Sequence, residues 1–112
     1  MSDPIQLRTN GRKLPFVRFD RQELNQILNV YSTRVASGEW RDYAIDQGRG
    51  KAVFSIFRSS HEAPTFSILK LPAGSNRRGA YLVMNGPRQL KWARSLTEAL
   101  QVFERRLVLV SS

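Results

Sequence analysis

Between Trp40 and Ala93 the chain offers five strand-like stretches with no gap long enough for a crossover. Trp40–Asp46, Lys51–Arg58, Thr65–Leu71, Ala80–Met84 and Arg88–Ala93 are separated only by Gln47–Gly50, Ser59–Pro64, Pro72–Gly79 and Asn85–Pro87. Parallel neighbours need a connection of about a dozen residues or more, so strands joined this tightly run antiparallel, as a meander. Asn85-Gly86 is a tight-turn pair, and Pro87 just after it, lacking an amide hydrogen to donate, suits an edge strand. In Lys51–Arg58, Ala52, Phe54 and Ile56 fall on one face, with Val53 and Phe57 on the other.

A helix pattern stands on each side of this block. Asp20 and Glu23 have capping-box spacing, and Phe19 and Leu24 are placed to form a hydrophobic staple. Leu24, Ile27, Leu28, Tyr31 and Val35 then make one apolar stripe, which Gly38 closes. Ser95 and Glu98 repeat the capping-box spacing before a second stripe of Leu96, Leu100, Phe103 and Leu107. The β-branched residues of Val108-Leu109-Val110 suggest that this helix ends near Arg106 and that a short strand returns to the sheet.

The expected fold is therefore α+β: an antiparallel sheet of four to five strands in a meander, flanked by an N-terminal and a C-terminal helix packed on one face. Residues 1–13, polar and without periodicity, read as a flexible tail, and 14–112 as a single domain. Leu14–Arg18 reads as a short extended piece. With 41% hydrophobic and 24% charged residues in 112, the balance is that of a globular chain able to form a core without staples.

Several chemistries are disfavoured. There is no cysteine, so thiol catalysis, disulfides and Cys-zinc sites are out. His61 is the single histidine, and a device of Ser60, His61 and Glu62 would need sequence neighbours to take up triad geometry. Asp42 and Asp46 share a face of the first strand. Such a pair can hold magnesium, yet pairing with Arg41, Arg49 or Lys51 is the more ordinary use. The Gly74–Gly79 loop holds two arginines, but no helix follows it to supply a phosphate-binding N-terminus. Trp40 reads as an aromatic anchor at the helix-to-strand junction, with Tyr43 on the opposite face. No catalytic residue, cofactor or metal is expected, and a binding module is the favoured class.

Charge points to the partner. The net charge is +9, and residues 49–94 alone carry nine basic side chains against one acidic. Such a balance favours polyanions. Arg58, Lys70, Arg77, Arg78, Arg88, Lys91 and Arg94 fall in strands or inter-strand loops, with Tyr81 and Trp92 nearby as stacking surfaces. A basic sheet face carrying aromatics is a recurrent single-strand-binding design, so these nine residues are the candidate nucleic-acid-binding set. The alternative is a protein-interaction or adaptor domain, with a homodimer as one form of it, using Val53, Phe57, Leu69 and Leu71 on the second face of a two-sided apolar sheet. Neither helix has the basic polar face of a membrane-surface element, no stretch has signal-peptide or membrane-spanning character, and the expected setting is cytoplasmic.

The stretches Phe19-Asp20-Arg21-Gln22-Glu23-Leu24, Gly38-Glu39-Trp40-Arg41-Asp42-Tyr43-Ala44-Ile45-Asp46 and Ala52-Val53-Phe54-Ser55-Ile56-Phe57-Arg58 resemble a family of short basic proteins from alphaproteobacteria, domain of unknown function 2794. The likeness spans roughly residues 16–110, and Glu39-Trp40-Arg41-Asp42-Tyr43 is its most specific part. It implies a bacterial, cytoplasmic setting and brings no activity, cofactor or catalytic residue with it.

Overall fold

Helix α1 (Arg21–Ala36) begins where its capping chemistry places it. The Asp20 carboxylate accepts from the Glu23 amide and the Glu23 carboxylate accepts from the Asp20 amide, each at 2.8 Å. The helix ends on Gly38, at φ +83°, whose amide donates to the Val35 carbonyl while that of Glu39 donates to Arg34. That pair of bonds is a Schellman ending, and glycine alone takes its left-handed residue without steric cost.

The computed structural model describes residues 14–59 and 63–111. After α1 come β2 (Asp42–Arg49), β3 (Ala52–Phe57), β4 (Phe66–Lys70), β5 (Tyr81–Asn85), β6 (Arg88–Ala93) and helix α2 (Leu96–Ser111); β1 (Phe16–Val17) precedes α1. The strands form one antiparallel sheet in the order β1-β2-β3-β4-β5-β6. The meander is as expected, with one strand more: the extended piece before α1 pairs Phe16 with Arg49 and Val17 with Gly48. Trp40 precedes β2 rather than starting it, and β2 runs on to Arg49.

Helix α2 starts with Ser95 Oγ accepting from the Glu98 amide at 3.1 Å. It continues through Ser111, so Val108–Val110 is helical and not a return strand. Once a helix is nucleated each further residue adds a backbone bond, and β-branched propensity is the weaker term.

Register sorts the side chains. Phe54 opposes Ile68, Ile68 opposes Val83, and Tyr81 opposes Ala93. With Ala52, Ile56 and Phe66 these fill one face, packed with Ile27 of α1 and with Leu96, Ala99, Leu100 and Phe103 of α2 in one core. Both helices therefore lie on the same face. Trp40 is buried in this core, edge-on to Phe103 at 5.2 Å and 6.0 Å from Phe66, so it is the junction anchor. Fully burying a ring such as Phe54 or Phe103 contributes up to about 3 kcal/mol.

Arg34, almost wholly buried, holds α1 to α2. Its guanidinium pairs with Glu39 at 2.7 Å, donates to the Phe103 carbonyl and lies 5.5 Å from the Trp40 ring centroid. The Glu39–Tyr43 run thus carries structure: Glu39 neutralises a buried cation, and Trp40 fills the space beneath it.

Candidate functional site

A meander brings alternate connections to the same end of the sheet. The β2–β3 hairpin, the β4–β5 loop and the β6–α2 junction share one end; the β3–β4 and β5–β6 connections share the other. The nine candidate residues are divided by this rule, and they do not form one face.

Lys70 and Tyr81 point toward the helices. The Lys70 ammonium bonds Glu23 at 2.6 Å and the Arg18 carbonyl at 2.8 Å, and the Tyr81 hydroxyl donates to the other Glu23 oxygen. Burial first, then the bond to the Glu23 carboxylate, raises the Tyr81 phenol above its ordinary value of 10.0. Glu23 itself is nearly buried, so this cation and this ring fasten α1 to the sheet. Lys91 is registered opposite the core residue Val83 and so leaves the sheet on the helix side.

Trp92, opposite Leu82, lies on the other face, half-buried. Its indole donates to Gln89 at 3.1 Å, and the Arg78 guanidinium sits 5.8 Å from its centroid. Arg58 and Arg88 belong to the far end. Arg58 lines a groove of about 600 Å³ there with Arg41, Glu39, Thr65 and Asn85.

What remains together is Arg77, Arg78 and Arg94, all exposed. The topology adds two exposed arginines from outside the candidate set: Arg18, at the Lys70 ammonium, and Arg49, in the β2–β3 hairpin. Parity of the meander connections was the signal that places Arg49 with Arg77. The two ends are about 20 Å apart at 3.4 Å per residue, more than twice the ~8 Å screening length at physiological salt. Arg58 and Arg88 therefore contribute little to the field at the end that holds these five.

Gly79 pins the β4–β5 loop to the sheet. Its φ is +125°, and a Cβ there would stand 2.1 Å from the Ala93 carbonyl oxygen. The Arg78 amide also donates to the Asn76 side chain at 2.8 Å, so the arginine-bearing loop is held in shape.

The face away from the helices is apolar through its middle. Leu69 and Leu71 are only 4% and 2% exposed, however, so of the four residues offered for a second subunit only Val53 and Phe57 keep accessible surface. Asp42 and Asp46 do share a face, both exposed, and among the described residues neither has a basic side chain in ion-pair range. Ser60, His61 and Glu62 lie outside the described residues. Among the described residues no cluster of three or more metal-ligating side chains occurs, and no helix is long and apolar enough to cross a membrane.

A family model matches residues 17–100. The chain belongs to the family described as Protein of unknown function (DUF2794). The DUF2794 match runs from β1 into the first half of α2 and so takes in the Glu23–Lys70–Tyr81 fastening, the Arg34–Glu39 pair and all five clustered arginines. No curated protein and no solved structure matches the chain.

Proposed function

We propose that this DUF2794 domain is a binding module for nucleic acid that acts through the phosphate backbone. The observation that carries the reading is the gathering of Arg18, Arg49, Arg77, Arg78 and Arg94 at one end of the sheet, all exposed. From β2 to β6 is four inter-strand steps, about 19 Å, a span that several successive phosphates of one strand cover. Guanidinium groups suit phosphate oxygens in geometry and charge. The surface is a rim of cations, and neither aromatic of the candidate set is free to stack on a base. Tyr81 is committed to Glu23, and Trp92 already carries Arg78. The reading is therefore sequence-independent attachment by counterion release, with no catalytic step.

The test is fluorescence anisotropy with a labelled 20-nucleotide single strand across a salt series. With about five phosphates neutralised, log affinity falls against log salt with a slope near −3.5, or near −4.5 on duplex DNA. Arg77→Glu with Arg78→Glu weakens binding to every sequence alike and flattens the slope by about 2, one unit per lost contact. Arg58→Glu with Arg88→Glu, at the far end, has much the smaller effect. No binding at 50 mM salt, a flat salt response, or equal effects of the two double variants overturns the reading.

A further inference from the structure

Strand β2 is eight residues long, and β1 covers only its last two, Gly48 and Arg49. Over residues 42–47 one side of β2 bonds to β3, and the other has no strand partner among the described residues. An open edge of this length is a template for another extended chain, and proteins usually blunt such edges by shortening or covering them. This one is not short, and every residue from Asp42 to Gln47 is exposed; the Tyr43 amide donates to the Asp42 carboxylate at 2.8 Å, a local bond that an incoming strand and its cation would replace.

Its side chains are sorted. Tyr43 and Ile45 lie on the helix side, where Tyr43 stacks on Phe54 at 5.0 Å and meets the edge of Tyr31 at 4.9 Å. The large hydrophobic residues that stay exposed among the described residues are Phe16, Val35, Tyr43 and Ile45, at 52%, 40%, 39% and 37%. All four belong to β1, β2 or the last turn of α1, so this apolar exposure is confined to the side of the molecule where the edge is open. On the opposite face stand Asp42, Ala44 and Asp46. Residues 19–48, which contain this strand, carry five acids against three bases in a chain whose net charge is +9.

We propose that the free edge of β2 receives an extended segment of a partner protein by strand addition, in antiparallel register, with basic side chains four residues apart facing Asp42 and Asp46 and apolar ones between them facing Tyr43 and Ile45. Main-chain hydrogen bonds supply the attachment and the alternating side chains the selectivity. A second copy of this strand, placed so that its acids occupy the positions of the two basic side chains, fits less well. Antiparallel pairing centred on Ala44 sets Asp42 against Asp46 twice, and like charges directly opposite destabilise a sheet. The site is separate from the cluster of arginines, so either can fail without the other.

The probe is the heptapeptide Thr-Lys-Val-Thr-Val-Lys-Thr, blocked at both ends, against its counterpart with both lysines replaced by glutamate. Each is titrated to millimolar concentration against the full chain, with amide hydrogen exchange as the readout. The lysine peptide slows exchange of alternate amides within residues 42–47 and binds about tenfold tighter than the glutamate peptide. Asp42→Lys with Asp46→Lys, two exposed substitutions, inverts that preference, and Asp42→Asn with Asp46→Asn levels it. Three results overturn the proposal: no protection of residues 42–47, equal binding of the two peptides to the native chain, or protection that grows with protein concentration when no peptide is present. The last would make a second copy the occupant.

Discussion

Replacing Glu23 with alanine removes one side chain and releases three groups at once. The Asp20 amide loses its capping partner at 2.8 Å, the Lys70 ammonium its counter-ion at 2.6 Å, and the Tyr81 hydroxyl its acceptor. The capping bond is worth about 1 kcal/mol. A hydrogen bond to a charged group is worth about 1.5–3 kcal/mol. The Lys70 contribution falls to about 1 kcal/mol because its side chain is 22% exposed and keeps the Arg18 carbonyl. Tyr81, left with a half-buried hydroxyl, accounts for about 1.5 kcal/mol. Glu23→Ala therefore costs about 3–4 kcal/mol, and at about 4 °C per kcal/mol for a domain of this size the midpoint drops by about 12–16 °C. Urea unfolding followed by tryptophan fluorescence measures it, with an unchanged m-value identifying a loss confined to the native state. Glu23→Gln, which keeps the shape and one acceptor but not the charge, falls between the two. A loss below about 1 kcal/mol for Glu23→Ala would mean that water replaces the carboxylate at no cost, and the fastening of α1 to the sheet through Glu23 would be refuted.

Two further outcomes follow from groups near that site. Tyr81 has its folded-state pKa raised above 10.0, so the stability tied to its proton is complete below pH 10 and is lost as pH rises through the raised value. Urea unfolding between pH 9 and 11 is then expected to decline more steeply for the native chain than for Tyr81→Phe; equal slopes would count against it. Tyr31, raised by burial, then by Asp42 and Tyr43, adds in the same direction and is common to both chains. At Gly79 an added Cβ meets backbone at 2.1 Å on top of a positive φ, and Gly79→Ala costs at least about 3 kcal/mol. Gly74→Ala, at φ +77° near the left-handed region and with open space for a Cβ, costs about 1 kcal/mol; like losses at both positions would mean that the β4–β5 loop is not held against Ala93.

The parts of this fold that were readable in the chain are those decided within a few residues. The capping box at Asp20, the N-cap at Ser95, the stop at Gly38 and the short connections that force a meander all rest on local chemistry and stand where the sequence places them; the Glu98 carboxylate, though, accepts from the Arg94 amide at 3.3 Å, so the second box is only half made. The site is less legible in the sequence, because a side chain's direction depends on register. Lys70 has the sequence setting of a binding cation, and its pairing opposite Ala52 and Tyr81 turns it toward Glu23. Arg18 and Arg49 fall outside the candidate set, since 31 positions and a helix separate them in sequence while the sheet sets them at one end. The small strand at Phe16–Val17 carries too few residues to show a period of two, and only its partner at Gly48–Arg49 defines it.

The order of the strands has a consequence for synthesis. Each one from β3 onward pairs with the segment made just before it, so a nascent chain can zip its sheet as it lengthens, closing only short loops. The helix that completes the interior comes last. At 5–20 residues per second the nine residues from Ser95 to Phe103 take about 0.5–2 s to make, far longer than a hairpin needs to form. For that interval Trp40 and Phe66 lack the ring of Phe103, and the half-built domain shows the ribosome's surroundings an aromatic floor that a chaperone would recognise.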